Sequence, residues 1–257
     1  MEFSVIPMSA LRKRDQWKVE YFVAGAATFS STAYKMVRLG DVLDERRESL
    51  DPTEFLDHRF NYLGLENVEG HTGDLIGFTP CLGSAVKSRS KIFREGDVLY
   101  GRLRPYLNKV FYVGAWLGSG ICSGEFIVLQ TNQDRLEAEF CRYLLASSLV
   151  QERVAGLQVG STHPRLNVSD LFDIQVPLPT IDGQRKMLGI IRKVESQRKQ
   201  AKANAASMTE QLSTAFINAL RTGNDLSVPN QLPVIEVNFH NELPAPYLEP
   251  KRRRRPV

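Results

Sequence analysis

The sequence predicts an α+β chain in which one strand-rich domain is followed by a single long coiled-coil helix and an extended tail. Three observations carry this. Short runs rich in β-branched and aromatic residues, bounded by Gly, Pro or Asn, recur between residues 59 and 130. An apolar stripe with alternating steps of four and three then begins at Met187. After Thr222 periodicity stops and five prolines fall within residues 224–250. The boundaries expected are a domain over residues 1–180, a spacer and dimerisation helix over 181–221, and a Pro-rich tail with a basic end over 222–257.

Residues 1–33 form a lead-in with a short helix expected around 11–18, and structure proper begins near Tyr34 with MVRLGDVLDERRES, a strand-like entry and a polar turn. Strands are expected at 59–65, 96–100, 109–113 and 125–130. Residues 136–154 place Phe140, Tyr143, Leu144 and Leu149 at helical spacing. A last short strand at 174–178 is stopped by Pro179.

In the long helix, Met187, Ile191, Val194, Arg198, Ala201, Ala205, Met208, Leu212, Ala215 and Ala219 make the seam of a coiled coil. At roughly 1.5 Å per residue this seam runs for about 50 Å, and a helix that long cannot bury it alone. The small alanines let a partner helix approach closely, and Arg198 interrupts the stripe in a way suited to fixing register. The competing reading is a helix packed along its own domain.

The 257 residues, 42% hydrophobic and 24% charged, suit one sizeable core plus an appendage. No apolar run approaches the roughly 20 residues of a membrane span, and MEFSVIPMSALRKR lacks the order of a signal peptide, so a cytoplasmic location and no membrane partner are expected. Cys81, Cys122 and Cys141 are widely spaced with no CxxC pair, which argues for buried thiols and against a disulfide framework or a metal site. The net charge of +4 is unevenly spread: 20 basic against 22 acidic residues up to 181, 8 against 3 over 182–221, and 5 against 4 in the tail. Between Lys87 and Lys109, however, seven basic residues meet only Glu95 and Asp97, a local surplus where a polyanion would dock.

YLGLENVEGHTGDL at 62–75, GDVLYGRLRPYLNKV at 96–110, CSGEFIVLQ at 122–130 and GSTHPRLNVSDLFDIQVPLPTIDGQRKML at 160–188 together resemble specificity subunits of type I restriction-modification systems, in order and in spacing, over residues 36–220. The resemblance implies a DNA target recognition domain and a spacer helix that sets the distance to a second such domain. Full-length specificity subunits resemble two such units in tandem, whereas this chain carries one of each, so a half subunit is expected. Two copies then pair through their helices, antiparallel, and present two recognition domains about a two-fold axis to an inverted, bipartite site on double-stranded DNA. The resemblance further implies a partner DNA adenine methyltransferase that holds S-adenosylmethionine and methylates a flipped adenine at N6, with or without a restriction nuclease/translocase subunit. No cofactor is expected in this chain.

The chemistry of reading DNA also follows from the residues. Arg is bidentate to guanine and Asn or Gln to adenine, while Lys, Ser, Thr and backbone amides hold phosphates. In GRLRPYLNK, Arg102 and Arg104 alternate and so share one strand face, with Tyr106, Asn108 and Lys109 following the turn at Pro105. The alternative is a structural salt bridge from either arginine to Glu125 or Asp97. In VGSTHPRLN, Ser161, Thr162 and Arg165 suit a phosphate, and bracing of the domain on its helix is the other reading. Lys87, Arg89 and Lys91 suit a basic ribbon along a DNA backbone, or one solvated strand face. The terminal KRRRR reads as a non-specific polyanion contact, a localisation signal of the eukaryotic type or a plain solvated end.

No catalytic residues are nominated. There is no GxGxxG, P-loop or HExxH, and Ser161 with His163 lacks an acid partner. LPAPYL only superficially resembles the Asp/Asn-Pro-Pro-Tyr motif of adenine methyltransferases. Two other classes stay open: a recognition protein of another phage-defence or methylation system without a nuclease, and an adaptor in which the coiled coil alone acts.

Overall fold

The structure, a computed structural model, describes residues 33–158 and 162–223. The helix expected at 11–18, Ser161 and the basic tail end lie outside the described residues. The chain divides into two units, Met1–Lys193 and Val194–Val257.

The α+β class is as expected, with a more elaborate strand order. β1 (Lys35–Arg38), β2 (Leu43–Glu45), β3 (Ser49–Leu50), β4 (Arg59–Phe60), β5 (Tyr62–Leu63) and β6 (Cys81–Leu82) precede β7 (Ser90–Phe93) and β8 (Val98–Gly101). β9 (Val110–Tyr112), β10 (Gly120–Cys122) and β11 (Phe126–Thr131) lead to helices α1 (Ala138–Ala146), α2 (Ser148–Leu157) and α3 (Val168–Phe172). β12 (Gln175–Leu178) and the helix α4 (Ile181–Thr222) follow.

The sheet ordered β2-β11-β8-β9 divides the first unit into two cores. Side chains alternate across a strand, so Ile127 and Leu129 of β11 join Val98 and Tyr100 of β8 on the face covered by Leu144, Leu145, Val150 and Val154. Phe126 and Val128 point the other way, with Leu99 and Phe111, onto Phe93, Cys122 and Leu63 of the second sheet, ordered β3-β7-β10-β5. A strand buried on both faces reads as the unbroken run FIVL. Each such side chain contributes about 1.5–3 kcal/mol by leaving water.

Residues 136–154, expected as one helix, are two. Ser147 sits extended (φ −68°, ψ 153°) between α1 and α2. Its hydroxyl donates to the Leu144 carbonyl at 2.6 Å, and its own carbonyl accepts from the amides of Val150 and Gln151 at 3.1 and 3.0 Å. One serine thus ends one helix and starts the next. β12 returns antiparallel to β1, pairing Val176 with Val37, before Pro179 and α4.

The start of α4 is fastened to its domain by Gln184, which is fully buried. The Gln184 Nε2 group donates to the carbonyls of Arg135 (2.8 Å) and Pro179 (2.9 Å), and its Oε1 accepts from the Glu137 amide at 2.9 Å. Leu188 is buried beside it, and Arg185 and Arg192 pair with Glu137 and Glu139. Among the described residues no helix is long and apolar enough to cross a membrane.

Candidate nucleic-acid interface

The two loops nominated from sequence meet. The Arg102 amide donates to the Glu125 carbonyl (2.8 Å), the Arg102 carbonyl accepts from Leu166 (3.0 Å), and the Arg104 amide donates to Pro164 (2.7 Å). Leu103 and Arg165 form an antiparallel bridge between them. The segment after β8 and the loop that precedes α3 are therefore one structural feature.

Beyond Leu103 the chain turns sharply. Arg104 and Asn108 both lie in the left-handed region, at φ 49°, and bracket a single 3-10 turn, Pro105–Leu107. Left-handed backbone costs a non-glycine residue about 1–2 kcal/mol, so the surroundings must impose it. Pro105 is buried with its φ preset by the ring. The Asn108 amide donates to the Ala146 carbonyl at 2.8 Å, and the Asn108 carbonyl accepts from the His71 amide at 2.8 Å. The result is a rigid knuckle that presents Arg104, Tyr106 and Leu107 to solvent.

Several nominated residues serve the fold instead. Asn108 is buried and its amide is committed to Ala146, so it does not offer itself to adenine. Lys109 donates from Nζ to the carbonyls of Leu65 and Val68, both at 2.7 Å, and clamps the YLGLENV segment. Lys91 is half-buried and pairs with Glu45 at 3.3 Å. Arg102 and Arg104 do not share a strand face, because Arg104 has left the extended conformation. Thr162, Lys87 and Arg89 are exposed, Arg89 donating to the Ser49 hydroxyl at 2.9 Å.

The ion pairs differ from those considered. Asp97, buried, accepts from Arg46 at 2.8 and 3.1 Å and from the Arg94 amide at 2.8 Å. Glu48 binds Arg94 through both oxygens (2.6 and 2.7 Å) and also Arg46. These hydrogen bonds, Arg94 first, hold the Glu48 carboxyl down at about 2. Glu125 pairs with Arg165 through three hydrogen bonds of 2.6–3.2 Å. That contact holds Glu125 below the usual carboxylate range against the opposing effect of burial, and the nearby Arg102 charge adds to it. Arg102 itself keeps a buried Nε with no hydrogen-bond partner among the described residues.

On α4, Val194, Ala201, Ala205 and Leu212 of the seam are exposed, and Ile191 and Met208 are half-buried. Met187 differs from the expectation, since it packs against the first core of its own domain. Ile190 and Phe216 are exposed on the same stripe by helical spacing, and the strict four-three count passed over both. Gln184 escaped nomination because a single polar residue carries no periodic signal, and Glu125 and Asp97, considered as partners of Arg102 or Arg104, pair with Arg165 and Arg46 instead.

Comparison with known proteins gives the family and the fold. Residues 32–206 match the family described as "Type I restriction modification DNA specificity domain". The chain is 26% identical over 184 residues to the type I restriction enzyme EcoDI specificity subunit of Escherichia coli, covering 72% of this chain and 37% of that protein. It is 26% identical over 156 residues to the HindI specificity subunit of Haemophilus influenzae, covering 57% and 34%. The fold is similar to the HsdS subunit from Thermoanaerobacter tengcongensis, with a TM-score of 0.60 and 25% identity over 79% of this chain and 54% of that one. The chain thus spans about a third of the length of these two curated relatives.

Proposed function

The chain belongs to the type I restriction-modification DNA specificity family, and from that premise we propose that it is a one-domain recognition module, without catalytic activity of its own, that acts as a pair. Each copy reads one half of an inverted, bipartite site on duplex DNA. The pair directs a separate adenine-N6 methyltransferase to that site, S-adenosylmethionine being held by the methyltransferase, and a nuclease subunit joins where the system restricts.

The observation that carries this reading is the exposed apolar stripe of α4, which needs a partner helix, on a chain whose recognition knuckle is already rigid. The charges support an antiparallel pair of identical helices. From Asp182 to Ala203 the helix holds seven basic and two acidic residues, whereas from Asn204 to Thr222 it holds only Glu210 and Arg221. Parallel pairing would set the two cationic halves side by side, while antiparallel pairing sets each against a nearly neutral half. A two-fold axis at Ala203 brings Val194 opposite Leu212, Ala201 opposite Ala205, Ile191 opposite Ala215 and Ile190 opposite Phe216. Ala201 facing Ala205 lets the two backbones approach closely at the axis, Ile191 meets Ala215, and Val194 with Leu212 and Ile190 with Phe216 set apolar side chains against one another.

On each domain, Arg104 and Tyr106 are the reading head, and Lys87, Arg89, Thr162 and the chain around Ser161 supply phosphate contacts. The mass of the purified protein, alone and mixed with its neighbouring methyltransferase, tests the proposal by light scattering after gel filtration. A dimer that captures the methyltransferase and confers adenine methylation at an inverted repeat is expected. A monomer that ignores the methyltransferase refutes the reading. Met208→Glu with Leu212→Glu should give a folded monomer, and a dimer that survives both changes overturns the helix pair.

A further inference from the structure

The loop pair behind the knuckle contains one anion between two cations, and the two cations are treated differently. Arg165 is tied to Glu125 by three hydrogen bonds of 2.6–3.2 Å and is thereby braced. Arg102, whose amide binds the Glu125 carbonyl at 2.8 Å, has a buried Nε without a partner among the described residues. Leaving a buried donor unmade is costly, yet no protein group described competes for that side of the guanidinium, and the same low-dielectric surroundings strengthen a hydrogen bond made by its outer nitrogens. Arg102 is half-buried with its Nε shielded, so a ligand reaches only the outer part of the guanidinium.

We propose that Glu125 is a specificity-determining residue that reserves Arg102 for a base edge, namely the O6 and N7 acceptors of guanine, and keeps phosphate away from it. The inference rests on the DNA-reading function proposed above. The physical reason is the sign of the local field. With Glu125 ionised, Arg102 and Arg165 together leave a single net positive charge, and a negative carboxylate stands beside any phosphate that would approach Arg102. A guanine edge is neutral, carries two acceptors at the spacing of a guanidinium fork, and feels no such repulsion. Glu125 is held on the charged side of its titration by Arg165, so the field persists at neutral pH. Glu125 needs no contact with DNA to do this and acts through Arg102 and Arg165, as a positioning residue.

The test uses the full chain and a library of DNA duplexes with a randomised core as the probe. The duplex most enriched by the wild-type protein is compared with a scrambled duplex at several salt concentrations, alongside thermal unfolding. Glu125→Gln should bind the scrambled duplex more tightly, lower the preference for the enriched duplex by about tenfold, and steepen the salt dependence by about one counterion. The double variant E125Q/R165Q restores the single net positive charge and should recover most of the lost preference. An unchanged preference in a folded E125Q protein overturns the inference. So does a double variant that stays as unselective as E125Q, since Glu125 would then act only as a brace. If E125Q does not fold, the double variant decides alone: preference kept supports the charge argument, preference lost refutes it. A wild-type protein that enriches no sequence removes the DNA-reading proposal itself, a result distinct from either.

Discussion

Replacing Gln184 with alanine should loosen the joint between the domain and the first turns of α4. The side chain is fully buried, and its amide satisfies three backbone groups from two segments: the carbonyls of Arg135 and Pro179 and the amide of Glu137, at 2.8–2.9 Å. A hydrogen bond contributes about 0.5–1.5 kcal/mol net, and an orphaned buried group costs about 1–3 kcal/mol. Alanine offers neither donor nor acceptor, so all three backbone groups lose this partner, the Pro179 carbonyl in a buried residue and the other two in residues that keep some exposure to water. The sum is a loss of about 3 kcal/mol. For a unit of this size about 2–4 °C accompanies each kcal/mol, so the melting temperature should fall by about 6–12 °C. Thermal unfolding followed by circular dichroism measures this, with urea titration for the free energy. Limited proteolysis should show new cleavage around residues 179–186. A melting temperature within about 2 °C of the wild type would refute the reasoning, because it would mean that the three contacts do not hold in solution.

Lys109→Met keeps the stem and removes the ammonium that binds the Leu65 and Val68 carbonyls. A loss of about 2–4 kcal/mol is expected from two charge-assisted bonds, read as a lower urea midpoint at unchanged slope. Arg104→Ala should weaken binding of the cognate duplex by about 1–3 kcal/mol and relax selectivity at one base pair; an equal loss on every duplex assigns Arg104 to phosphate instead. The pH dependence is set by Glu125, whose carboxyl is depressed in the folded state by Arg165. The pair therefore stabilises above the ordinary glutamate range and is lost as pH falls through the lower folded value. Since Arg165 is nearly half exposed (45%), solvent screening keeps the effect small. The wild type should lose its small advantage over E125Q on acidification below about pH 4.3, and a constant difference down to pH 3 would count against the pair.

The sequence by itself determined the class of the chain and the elements with strong local signals. The run FIVL, the heptad of α4 and the stop at Pro179 are each written in a few adjacent residues, and the structure has a strand, a helix and a boundary there. The order of four motifs was enough to place the chain in its family. Short strands such as β3, β6 and β10 were not legible, because two or three residues carry no period and form only when β7 offers an edge to β3 and β10, and β4 one to β6. The candidate site divides the same way. Sequence located the basic surplus and both loops, but charge alone does not say which cation is already satisfied. Lys109 and Arg104 look alike as letters; only the fold puts carbonyls 2.7 Å from one and solvent around the other. The commitments of Gln184, Glu125 and Asp97 are likewise tertiary, since each joins segments tens of residues apart, and a buried polar group is defined by the partners that folding brings to it.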